Sequence, residues 1–133
     1  MSKNEMEKVI IQKAEVVSKL QNLSGKLLEI NDKDDICELL RNFPKKVMII
    51  DFWASWCAPC KDYTQIFEKV CQEYSNDFIF IKTDVDKAPK IIQHFKISSV
   101  PTTLLLKGEE ILRKFVGVVN YGTLKQIVER FRK

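Results

Sequence analysis

Two cysteines separated by two residues, Cys57 and Cys60, stand where an apolar run gives way to a helix-like segment, in Asp51-Phe52-Trp53-Ala54-Ser55-Trp56-Cys57-Ala58-Pro59-Cys60-Lys61. If Pro59 opens a helix, it can sit at the first helical position, where its missing N–H costs nothing. Cys57 then lies at the helix N-terminus, where unpaired N–H groups and the helix dipole favour a thiolate over a thiol. Cys60 lies one turn along, near enough to close a small disulfide ring. Such a pair attacks a second disulfide, passes through a mixed disulfide and resolves it internally. The same spacing also fits half a zinc site or two inert core thiols. A zinc site wants a second ligand pair at ribbon-like spacing, whereas Cys37 and Cys71 are isolated and His94 is the only histidine. Asp51, Trp53, Trp56 and Pro59 around the pair favour redox chemistry over metal.

The elements that must position this pair follow from periodicity and punctuation. Val47-Met48-Ile49-Ile50 with Phe52-Trp53 reads as a strand buried on both faces. Asp51 interrupts it; a buried unpaired carboxylate is costly, so either the strand is drawn wrongly there or the acid is functional. Lys26–Ile30 gives a short first strand. Asn31–Asn42 gives a helix capped by Asn31 or Asp32 and leaving at Pro44. Within it Cys37, beside Ile36, Leu39 and Leu40, reads as a small buried hydrophobe. Pro59 to about Tyr74 is a helix with Ile66, Phe67, Val70 and Cys71 on its core face. A Cys37–Cys71 disulfide is conceivable, but the sequence does not bring the two within bonding distance.

Phe78-Ile79-Phe80-Ile81, ending at Lys82-Thr83-Asp84, is the next strand. Asp86–His94 starts a short helix with Pro89 near its first turn. Nothing in the sequence orients His94, so it reads as a surface or half-packed residue rather than a catalyst. Val100–Leu106 and Ile111–Val116 form a hairpin through Lys107-Gly108-Glu109-Glu110. Asn120–Arg132 is a closing helix capped by Asn120, with basic residues in its last turns. Crossover helices between the early strands imply parallel pairing, and the hairpin adds antiparallel strands. The chain is therefore α/β, a mixed sheet flanked by helices. Residues 3–23 read as an amphipathic helix, with Met6, Val9, Ile10, Val16, Val17, Leu20 and Leu23 on one face, Lys13 interrupting it and Ser24-Gly25 ending it. Such a helix packs on its own domain; the sharper alternative is a partner or dimer contact.

The whole chain bounds these readings. Its 133 residues, 45% hydrophobic and 30% charged, suit one globular domain. The net charge of +4 comes from the C-terminal end, where residues 107–133 carry 7 basic and 3 acidic groups. That excess is too modest to argue for nucleic acid and fits a solvated helix face. No stretch reaches the length of a membrane span. Val9-Ile10-Ile11 gives way at once to Gln12-Lys13, too short for a signal-peptide core. A cytoplasmic location is expected, where a Cys-x-x-Cys near a βαβ pattern indicates redox catalysis rather than a structural staple.

From about Lys26 to the C-terminus, the sequence resembles the thioredoxin family. The resemblance implies the thioredoxin fold for residues 26–133 and leaves residues 1–25 as an N-terminal helical extension. It implies a protein disulfide reductase in which Cys57 is the nucleophile and Cys60 the resolving thiol. Asp51, six residues before Cys57, falls where the family carries a buried acid that moves the Cys60 proton, and Lys82 where a lysine faces that acid. An apolar strand carboxylate should have a raised pKa moderated by a nearby cation, which suits acid–base work near neutral pH. Pro101 falls where the family has a cis-proline facing the cysteines. It would turn the Val100 backbone towards an extended substrate, although an ordinary strand-opening proline fits the sequence too. Gly117 falls in the substrate-facing loop and, with Trp56, Ala58, Pro59, Val100 and Pro101, would rim Cys57.

The implied partners are protein disulfides and a thioredoxin reductase. No bound cofactor, metal, nucleic acid or membrane is implied, and the chain is expected to be a monomer, with a dimer through the N-terminal helix as the alternative. Two departures stand out. Ala58 replaces the glycine of the commonest motif, a spacer also seen in exported thioredoxin-like reductases. Gln65 replaces a kinking proline, so the long helix is expected to be straighter. Two rivals remain: a dithiol oxidant or isomerase, which a histidine between the cysteines would have favoured, and a non-catalytic binding module on the same fold.

Overall fold

The computed structural model describes residues 27–132, so the helix expected over 3–23 lies outside the described residues. Five strands form one sheet in the order β1-β3-β2-β4-β5: β1 (Leu28–Glu29), β2 (Val47–Trp53), β3 (Phe78–Asp84), β4 (Thr102–Lys107) and β5 (Glu110–Val116). β3 pairs parallel with both β1 and β2, because a helix crosses over between successive strands. β4 runs antiparallel to β2 and to β5. The hairpin turns through Gly108, whose φ of +58° is a left-handed conformation that a side chain would oppose.

Strand alternation divides the core into two layers. Met48, Ile50 and Phe52 of β2 meet α1 (Lys33–Asn42) and α3 (Pro89–Phe95) through Ile36, Leu39, Ile91 and Phe95. Val47 and Ile49 point the other way, onto α2 (Ala58–Tyr74) and α4 (Tyr121–Arg130), against Phe67, Val70, Leu124 and Val128. With its central strands covered on both faces, the sheet reads in sequence as nearly continuous apolar runs.

The helix caps follow the expected chemistry. The Asp32 carboxylate accepts from the Asp34 backbone N–H at 2.8 Å and opens α1. The Asn120 side-chain oxygen accepts from Thr123 N–H at 2.8 Å and opens α4.

Four expectations need correction or sharpening. The helix expected from Asp86 to His94 is two pieces, a 3-10 turn Val85–Lys87 and the α-helix Pro89–Phe95. Ala88 breaks it with φ −131°, since the ring of Pro89 disfavours helical geometry in the residue before it. Cys37 is half-buried rather than core, because α1 buries Ile36 and Leu39 and turns Cys37 aside. Cys37 and Cys71 sit on helices covering opposite faces of the sheet, so they do not pair with each other. α2 runs unbroken for 17 residues through Gln65, but it starts at Ala58, which makes Pro59 its second residue.

Candidate active site

The end of β2 and the start of α2 place the two cysteines. Cys57 is the N-cap of α2 and forms a disulfide with Cys60, with Cα atoms 5.3 Å apart. The Cys60 backbone N–H donates to the Cys57 sulfur at 3.3 Å. When the disulfide opens, that N–H and the helix N-terminus favour negative charge on Cys57. Cys60 is 1% exposed and Cys57 5%, so an incoming disulfide reaches Cys57 first. Ala54 and both cysteines pack with Trp53, Val85 and Val100 in a small apolar cluster.

Asp51 lies in the middle of β2 and is fully buried. Neither of its carboxyl oxygens has a hydrogen-bond partner in the structure. Burial pushes its pKa from 3.8 up to about 7, and the Lys82 ammonium holds it back from rising further. Asp51 and Lys82 are register partners on neighbouring parallel strands. The Lys82 Nζ lies 4.4 Å from the centroid of the Trp53 ring. β2 runs unbroken through Asp51, and the acid within it is an ionisable group with its pKa near neutrality.

The rim residues come from the cysteine turn itself and from two further loops. Trp56 is 69% exposed, and its indole N–H donates to the Asp86 carboxylate at 2.9 Å. Asp86 is held in turn by its backbone N–H, which donates to Asp84 at 3.0 Å. Ala58 and Pro59 are exposed on the first turn of α2. The Val100–Pro101 peptide is cis. The Pro101 carbonyl accepts from Gly117 N–H at 2.8 Å, which ties the loop after β5 to the proline. Gly117 has φ +98°, a conformation that glycine adopts without strain.

All ten residues singled out from the sequence therefore lie at or just behind one end of the sheet. His94 lies elsewhere, on α3 with its ring edge-on to Phe95. Cys71 is packed into the layer under α2, where burial, with Glu68 adding to it, pushes its thiol up to about 11. That is the profile of a packing thiol rather than a reactive one.

The sequence reading missed several neighbours of the site. Asp86 fixes the Trp56 indole, and Val116 and Val118 flank Gly117 while 60% and 44% exposed. Tyr63 and Thr103 share a hydroxyl–hydroxyl hydrogen bond of 2.6 Å, fully buried on the Asp51 side of the sheet. The helical spacing of Tyr63 from Cys60 was visible in the sequence. The register that sets Thr103 beside Asp51 was not.

Known proteins share this arrangement. A family model described as thioredoxin matches residues 28–130. A thioredoxin from Buchnera aphidicola of Acyrthosiphon pisum is 35% identical over 105 residues, covering 79% of this chain and 95% of that protein. A Mycobacterium leprae protein named bifunctional thioredoxin reductase/thioredoxin is 32% identical over 101 residues, 76% of this chain and 22% of that one. The crystal structure of Schistosoma mansoni thioredoxin superposes with a TM-score of 0.73 at 31% identity, covering 81% of this chain and 97% of the other.

Proposed function

This chain belongs to the thioredoxin family, and from that premise we propose how its residues divide the work. It is a thiol–disulfide oxidoreductase that reduces protein disulfides. One observation carries the reading: a disulfide-bonded Cys-x-x-Cys at the N-terminus of α2, backed by a buried carboxylate near neutrality. Cys57 attacks a substrate disulfide as the thiolate. One substrate sulfur leaves and takes a proton from water, and a Cys57–substrate mixed disulfide forms. Asp51, held in check by Lys82, accepts the Cys60 proton. The Cys60 sulfur then bonds to Cys57, and the second substrate sulfur leaves as a thiolate that water protonates. Two electrons pass from the dithiol to the substrate, and the Cys57–Cys60 disulfide is the product left on the protein.

The partners follow from the same chemistry. The oxidised protein is recharged by a thioredoxin reductase; the Mycobacterium relative carries both names in one chain, which supports that pairing. Residues 26–133 act as the catalytic domain and residues 1–25 as an extension to it. No helix among the described residues is long and apolar enough to cross a membrane, and we place the protein in the cytoplasm as a monomer.

The first test is the equilibrium potential of the Cys57/Cys60 couple against reference dithiols. A value below about −230 mV, toward the roughly −270 mV typical of thioredoxins, supports a reductase. A value above about −200 mV would instead mark an oxidant or isomerase.

The rim makes a separate prediction. Trp56, Val100, Pro101 and Gly117, with Ala58 and Pro59, form the surface on which a substrate segment lies. Replacing Trp56 with alanine should raise KM for a protein disulfide about 5- to 30-fold, the loss of ~1–2 kcal/mol of contact. Steady-state kinetics on a protein substrate and a small aromatic disulfide check this. Equal losses on both would show that Trp56 acts on the cysteines rather than on the substrate.

A further inference from the structure

A row of polar side chains crosses the apolar layer beneath α2. Asp51 on β2 is the register partner of Lys82 on β3 and of Thr103 on β4. Strand alternation sets all three on the face that carries Ile49, Phe80 and Leu105. Directly opposed side chains on one face of an antiparallel pair have Cβ atoms about 4.5–5.5 Å apart, so Thr103 stands against Asp51. Tyr63 reaches the same row from α2, one turn after Cys60, and its hydroxyl meets that of Thr103 at 2.6 Å. All three of Asp51, Tyr63 and Thr103 are 0% exposed.

The hydrogen inventory is unbalanced. Two hydroxyls carry two hydrogens, and the contact between them uses one. Either hydroxyl can be the donor in that contact; with the phenol, the more acidic of the two, donating, Thr103 keeps its own hydrogen free. On the next strand Asp51 has two carboxyl oxygens and no donor. A phenylalanine and a valine would fill the same space without the cost of burying two hydroxyls. The polar pair therefore asks for a reason, and the acid beside it supplies one.

We propose that Thr103 and Tyr63 are positioning residues for disulfide exchange: Tyr63 fixes the Thr103 hydroxyl, and Thr103 turns its hydrogen towards Asp51 and favours the carboxylate that receives the Cys60 proton. This rests on the reading of Asp51 as that proton's acceptor. The Cys60 S–H proton passes to the carboxylate, the Cys60 electron pair bonds to Cys57, and the substrate sulfur departs with the electrons of the broken bond. In apolar surroundings a hydroxyl dipole acts on a nearby charge with little screening. Burial chiefly raises the Tyr63 pKa, the Thr103 contact lowers it, and the Asp51 charge raises it, so the phenol stays protonated beside Asp51. Besides Tyr63 from α2, the charged group facing Asp51 is the Lys82 ammonium from β3; β4 brings no titratable side chain to the row.

The test is the carbon NMR titration of the Asp51 carboxyl in the full oxidised chain, where the two active cysteines do not titrate. T103V and Y63F should each raise the Asp51 midpoint by about 0.5–1 unit, the loss of one oriented dipole. T103S, which keeps the hydroxyl, should restore it. The pH midpoint of the Cys60 resolution step, followed by stopped flow in the reduced protein, should move by the same amount. Y63F removes a single oxygen, so the question stays answerable if T103V folds poorly. An Asp51 midpoint unchanged in Y63F and in any folded T103V overturns the proposal, whatever happens to turnover. If Asp51 moves while the resolution step keeps its midpoint, the pair still acts on Asp51, and it is the acid's part in the exchange that fails.

Discussion

A Cys60→Ser protein should hold its substrate in a covalent complex. Cys57 keeps its helix N-terminus and the N–H of residue 60, so attack on a substrate disulfide proceeds and the mixed disulfide forms. Resolution needs a thiol one turn along α2, and a serine hydroxyl cannot take part in sulfur exchange. Multiple turnover should fall by at least ~10³-fold, as it does when one member of a catalytic unit is removed. Non-reducing mass spectrometry should find one substrate bound per chain, released by a small dithiol. A Cys57→Ser protein should form no such adduct and lose turnover to the same degree, since the remaining Cys60 is 1% exposed. An adduct on the Cys57→Ser protein but not on the Cys60→Ser protein would reverse the two roles. No turnover in the wild type, with partner binding retained in both variants, would leave the fold acting as a binding module.

The second large effect is on stability and its pH dependence. Asp51 has a folded pKa of about 7 against 3.8 for an ordinary aspartate. Between those values the folded protein holds a proton that the unfolded chain has lost. Stability therefore is greatest below about pH 4 as far as this group is concerned, falls as pH rises towards 7, and levels off above it. A rise of about three units corresponds to ~4 kcal/mol, an upper figure for one buried acid.

Asp51→Asn removes the charge and keeps the shape. Urea unfolding of the oxidised protein at pH 5 and pH 8 should show wild type losing about 2–3 kcal/mol across the interval, with the variant losing much less. At pH 8 the variant should be the more stable of the two. It should also be slower in the Cys60 resolution step, by about 10²-fold, the usual worth of a positioned base. Parallel pH curves for the two proteins would mean that Asp51 titrates near its ordinary value. This trade is expected of a group kept for reaction rather than for folding: the unpartnered acid costs stability at the pH where it works.

Much of this was legible in the residues themselves. The Cys57–Cys60 spacing, Pro59 in the first turn, the Asp32 and Asn120 caps and the Gly108 turn are local rules, each settled within a few bonds of the residue concerned. The apolar runs of β2 and β3 announced a sheet covered on both faces because continuous hydrophobicity has no other stable place in water. Ala88 defeated the reading of one short unbroken helix from Asp86 to His94, although the rule that breaks it, a proline at the next position, was in plain view.

What the sequence could not supply was depth and adjacency. Cys37 looked like core because its neighbours are apolar, but a helix turns about 100° per residue, and burial of Ile36 and Leu39 leaves Cys37 off the buried face. Asp51 announced itself as an anomaly; its pKa depends on how completely the layers of β2 and α2 exclude water, a property of the packed whole. The meeting of Tyr63 with Thr103, 40 positions apart, depends on strand register, and a slip of one residue would turn Thr103 to the other face of the sheet. Local bonding chemistry is written in the order of residues. Electrostatics and proton transfer depend on which distant residues packing brings together and on how little water remains between them.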